Sequence, residues 1–179
     1  MNIYIDLKYI GDEQTGEIIN CAIVDDDANT LFNRYFSTIN VVVTDIDAIS
    51  PEMLSNCSPF SNYALEINEI IEKADLIFCY GANLSILRRY GVSIMLYNVI
   101  NLQAIFSNYI GEIGPTGIRE QALSDCMKFL GLKYIGNDSL NNALAAAKIS
   151  DAFYAFKQSM ENLSEEEVDN IIYERIKSL

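Results

Sequence analysis

Hydrophobic residues recur along this chain in two rhythms. Up to about residue 36 they follow the two-residue period of strands: Ile3-Tyr4-Ile5-Asp6-Leu7-Lys8-Tyr9, Glu17 to Val24, and Thr30 to Phe36 are runs rich in β-branched and aromatic side chains. A polar, glycine-bounded stretch, Gly11-Asp12-Glu13-Gln14-Thr15-Gly16, separates the first two runs, and Asp25-Asp26-Asp27 separates the next two. This order predicts an antiparallel meander. Beyond residue 50 the rhythm lengthens to that of helices. Ser50-Pro51 opens a short helix, and Tyr63, Leu65, Ile67, Ile70 and Ile71 mark an amphipathic one over 62–73. Leu76 to Tyr80 is uninterrupted apolar sequence, the mark of a buried central strand.

A helix over 83–90 stopped by Gly91, a fifth strand over 95–102 and a helix over 103–109 follow. Gly111 to Gly117 predicts a loop with a turn at Pro115, and 118–130 a helix ended by Gly131. Asn137-Asp138-Ser139 caps a long alanine-rich helix over 140–161, and Ser164-Glu165-Glu166-Glu167 is a capping box opening a last helix through Ile176. Strands first as a meander, then alternating with helices, predict an α/β fold, a mixed sheet covered by helices.

Length and composition narrow this picture. A chain of 179 residues, 50% hydrophobic, can bury a full single core, so residues 1–160 are expected to form one domain that the helix in 161–179 packs on or extends. No run of about 20 apolar residues suggests a membrane segment, and a reduced, cytoplasmic protein is expected. Cys21, Cys57, Cys79 and Cys126 are scattered and histidine is absent, which removes zinc and the commonest general base near neutral pH. Cys21 and Cys79 fall in apolar runs and read as small core residues. The balance of 25 acidic against 12 basic residues, a net charge of −13, sets a field that opposes nucleic acid, and Arg88-Arg89 is the one adjacent basic pair. The three aspartates at 25–27 read as a solvated hairpin tip, because adjacent carboxylates in a turn point in different directions.

The chemistry concentrates in the first strand. Alternation places Asp6 and Lys8 on one face and Ile5 and Leu7 on the other. A charged pair on one face of a buried strand lines a site or forms a local ion pair.

Several separated segments resemble the DnaQ-like, DEDD-type 3'-5' exonucleases, over roughly residues 2–156. Tyr4-Ile5-Asp6-Leu7-Lys8 resembles the family's first motif, an apolar strand ending in D-x-E, and Gly16-Glu17-Ile18-Ile19 its second strand. Ile46 to Leu54, with Ser58-Pro59-Phe60 after it, resembles the connection I-x-G-I-T-x-E-M-L. Ala74 to Ala82 resembles the strand leading to the second acidic motif, and Leu130-Gly131-Leu132 with Asn141-Asn142-Ala143 the third. The resemblance implies a ribonuclease H-like fold: a mixed five-stranded sheet, an antiparallel meander then parallel strands, flanked by helices. It also implies four carboxylates holding two divalent ions, with a His or Tyr as base.

Carried over position by position, only Asp6 keeps its carboxylate. The family's Glu falls on Lys8, the second Asp on Ser85, the last Asp on Asn142, the assisting His on Asn137, and Ser139 stands in a place the family gives to Ala. An ammonium at Lys8 repels a cation where a ligand belongs. Tyr134 and Asp138 have the spacing of the tyrosine variant of the third motif, and Asp75, Glu112 or Asp151 could approach from elsewhere.

The sequence therefore predicts a degenerate, catalytically inactive exonuclease-like domain that binds something. In it an Asp6–Lys8 pair replaces the ion and no cofactor is needed. The alternative is a metal-dependent 3'-5' exonuclease on single-stranded DNA or RNA with displaced ligands, which would use Mg2+ or Mn2+. Eleven Tyr and eight Phe suit a protein partner or self-association, through the 83–90 segment or the acidic last helix. Nucleic acid is disfavoured by the charge.

Overall fold

The computed structural model describes residues 1–12, 14–39, 49–82, 84–95, 98–111, 113–114, 117–136 and 138–177. Strands β1 (Ile3–Ile10), β2 (Glu17–Asp25), β3 (Thr30–Tyr35), β4 (Ile77–Cys79) and β5 (Val99–Asn101) form one sheet in the order β3-β2-β1-β4-β5. The β1/β2 and β2/β3 pairs are antiparallel, as the opening rhythm predicts, and β1/β4 and β4/β5 are parallel, as the resemblance implies. Asp25 closes the β2–β3 turn by accepting from the backbone N–H of Asp27 and Asn29 and from the Asn29 amide. The expected solvated tip is thus a turn lock, and its hydrogen bonds hold the Asp25 carboxyl below the usual carboxylate range.

The pleat divides the core in two. Ile3, Ile5, Leu7, Cys21 and Ile23 face one way, against Phe32, Phe36, Phe60 and helix α2 (Ala64–Ile71). Tyr4, Ala22 and Val24 face the other way. They meet helices α3 (Leu102–Ile110), α4 (Leu123–Phe129) and α5 (Ser139–Met160). Short helix α1 (Pro51–Ser55) is capped by Ser50, and helix α6 (Glu165–Ile176) opens with the expected capping box at Ser164. Ile171, Ile172 and Ile176 dock α6 on the second core, and Arg175 donates to the Phe129 carbonyl while covering the Phe129 and Phe156 rings.

Three expectations change. The 83–90 helix is a 3-10 helix, Leu84–Tyr90, whose threefold period buries Leu84 and Leu87 on one side. The strand expected over 95–102 shrinks to β5, because the Asn101 side chain accepts from the N–H groups of Gln103 and Ala104 and so starts α3. The helix expected over 118–130 covers only α4. Upstream of it, Gln121 donates its N–H to Ser107 Oγ, and its carbonyl accepts from Tyr80 and Gln103, so tertiary partners take the groups a helix would use. Within the expected 111–117 loop, β6 (Ile113–Gly114) pairs with β7 (Gly117–Ile118), while the turn at Pro115 lies outside the described residues.

Candidate functional site

Asp6 lies near the middle of β1, opposite Ala22 of β2, and Lys8 lies opposite Asn20, with a register shift immediately after it. The face they share with Tyr4 is covered by the first turns of α5, where Ala143, Ala146 and Ala147 let helix and sheet approach closely. Asn20, fully buried, fixes that approach. Its Oδ1 accepts from the Ser139 backbone N–H at 2.8 Å, and its Nδ2 donates to the Arg34 carbonyl at 3.0 Å. Asp138 caps α5, its Oδ1 accepting from Asn141 N at 2.8 Å and its Oδ2 from Asn141 Nδ2 at 3.0 Å.

These contacts bring Asn142 over Asp6. The Tyr134 hydroxyl donates to Asn142 Oδ1 at 2.7 Å, and Asn142 Nδ2 donates to Asp6 Oδ2 at 3.4 Å. Asp6 keeps some exposure as a residue, yet protein surrounds its carboxyl, and burial raises its pKa to about 6. Ser139, Asn142 and the charge of Lys8 oppose that rise, and the charge of Asp138 adds to it. The Ser139 hydroxyl is fully buried beside Asp6 without hydrogen-bond geometry to it or to any other described residue. Its proximity nonetheless opposes the rise more than Asn142 does.

The remaining predicted residues are spread out. Ser85 lines a cavity of about 620 Å³ with Asp12, Gln14 and Arg89, and a neighbouring one of about 420 Å³ with Cys79, Leu84, Val99 and Asn101. Asp75 is at the far end of β1, paired with the Met1 amine. Asp151, further along α5, acts on Tyr4 rather than Asp6. Asn137 and Glu112 lie outside the described residues. Cys21 and Cys79 are buried core thiols, and burial pushes Cys79 up to about 11.

The donor set can be compared with a two-ion centre. Around Asp6 stand an amide N–H, an ammonium and a hydroxyl, and Asp138, a second carboxylate whose charge reaches it, accepts with both oxygens from Asn141 at the helix cap. Among the described residues no three carboxylate, thiol or imidazole side chains converge. These residues do not make up the site that the resemblance implies. Asn20 was not legible as part of it, although a lone amide inside the apolar run of β2 was a signal that something polar had to be met there.

No protein-family model and no curated protein matches the sequence. Solved structures do match by shape. The Neurospora crassa Pan2 catalytic unit, with protease and nuclease domains, superposes with a TM-score of 0.67 at 17% identity over 94% of this chain and 29% of its own. The Saccharomyces cerevisiae Pan2 pseudoubiquitin hydrolase-RNA exonuclease module, in complex with AAGGAA RNA, gives 0.67 at 11% identity over 98% of this chain and 31% of its own. A 3'-exonuclease solved for its recognition of the histone mRNA stem-loop 3' end gives 0.57 at 16% identity, covering 89% of this chain and 81% of its own. The chain thus spans under a third of the Pan2 chains, 29% and 31%. With the strand order and the α5 packing already described, these likenesses establish that the chain has the ribonuclease H-like fold of the DEDD-type 3'-5' exonucleases.

Proposed function

We propose that this exonuclease-like domain works by binding and does not hydrolyse phosphodiesters. The observation that carries the reading is the chain of hydrogen bonds from Tyr134 through Asn142 to Asp6, which fills with an amide donor the space where a second carboxylate and a cation would meet. Metal-assisted hydrolysis needs ligands that gather positive charge around the phosphate and lower the pKa of a water. Here Asp6 meets an N–H dipole and the Lys8 charge instead, so the centre is neutralised by its own residues. The four cysteines are free, which suits a reducing, cytoplasmic setting. The partner class is a protein or a second copy of this chain, because a net charge of −13 opposes a polyanion.

A second reading, a metal-dependent 3'-5' exonuclease on single-stranded DNA or RNA with displaced ligands, draws on Tyr134 at the centre and on the Asp138 charge reaching Asp6. End-labelled single-stranded RNA and DNA, incubated with the full chain and Mn2+ and again with EDTA, separate the two. The binding reading expects no shortening. Shortening that EDTA stops and Asp6→Ala abolishes would establish the enzyme.

A further inference from the structure

A small cleft on the opposite side of α5's first turns from Asp6 has a composition that the centre does not use. It holds about 100 Å³ and is lined by Met127 of α4, Lys133 and Ile135 of the α4–α5 connection, and Asn141, Leu144, Ala145 and Lys148 of α5. Its floor is apolar and firm: Met127 and Ala145 are buried in the core. Its rim is unusual. Ile135 is 64% exposed, a large aliphatic side chain left in water beside an opening with room for one more.

Both lysines are exposed, and neither has a hydrogen bond or ion pair with another described residue. Lys133 and Lys148 thus put two positive charges beside one cleft in a chain whose net charge is −13.

We propose that this cleft docks an acidic segment of a partner protein through one aliphatic anchor. The anchor side chain enters between Ile135, Leu144 and Ala145, and flanking carboxylates of the same segment meet Lys133 and Lys148. Charge complementarity selects the occupant: the two lysines attract a short acidic stretch, while the overall charge of −13 repels a long polyanion. Buried apolar contact at the centre with charges at the rim is the ordinary division of labour at such interfaces. The inference is independent of whether Asp6 holds an ion, so its failure and that of the binding reading are distinguishable.

Selection of random decapeptides displayed on phage against the immobilised full chain tests it, with Lys133→Glu/Lys148→Glu as the counter-target. The expected winners carry one Leu, Ile, Met or Phe among Asp and Glu. Their binding falls about tenfold or more in the double variant, falls in Ile135→Ser, and weakens as salt rises. Because all three side chains are exposed, the variants should melt as the parent does. Absence of enrichment, winners lacking acidic residues, or equal binding to the double variant would overturn the proposal. So would oligoadenylate RNA binding that only the double variant loses, which would make the lysines phosphate contacts. A dimer in light scattering that the double variant abolishes would replace the foreign segment with a second copy.

Discussion

Asp6 is the residue on which the proposed binding reading turns. A carboxylate whose pKa rises from 3.8 to about 6 is held by the folded protein in a state that prefers a proton. Since the folded state binds that proton more tightly than the unfolded chain, protonation favours folding. The cost of the charged form is absent below pH 3.8, grows as pH rises, and is complete above about 6. The size of the shift sets that cost at up to about 3 kcal/mol. Asp6→Asn, which keeps the shape and removes the charge, should be more stable than the parent at pH 7 by about 1–3 kcal/mol, and the gap should close by pH 4. Urea denaturation across that range measures it; a gap that widens toward pH 4 would show that Asp6 is stabilised as a carboxylate. At this scale the sequence was informative about identity and silent about contact. Asp6, Lys8 and Asn142 could be singled out from motif positions, but the Asn142 amide donating to Asp6, and Asn20 holding Ser139, depend on residues 136 and 119 places apart meeting in space.

Among the elements, α5 and the connection before it matter most. Gly136 adopts φ +140, and a Cβ there would lie 2.2 Å from Asn141 Cβ, so only glycine lets the chain press against the start of α5. Gly136→Ala should cost about 1–3 kcal/mol, read as a lower thermal midpoint, because strained backbone and a clash act together. An unchanged midpoint would mean that the connection moves without effect. Local signals of this kind were legible in the sequence: the Asp138 cap, the Gly91 stop and the Ser164 box all stand where the residue types put them. Segment 118–122 was not, because its apolar spacing is helical while its backbone groups are claimed by Ser107, Tyr80 and Gln103 from other elements. Phe106, Phe129, Phe153 and Phe156 pack edge to face here, with Arg175 over Phe129 and Phe156.

For the whole molecule, the order of strand and helix rhythms was enough to foresee the mixed sheet, because a two-residue period and a 3.6-residue period leave different marks on the same alphabet. The Lys133–Lys148 cleft could not be foreseen, as it is assembled from α4, a connection and α5. The central proposal is that this domain works without a metal centre: an amide, an ammonium and a capped carboxylate are the groups that act on Asp6. Calorimetric titration of the full chain with Mn2+, and then Mg2+, at pH 7 tests that claim most directly. The account predicts no binding heat in the micromolar range and no difference between the parent chain and Asp6→Ala. Micromolar Mn2+ binding that Asp6→Ala abolishes would contradict it.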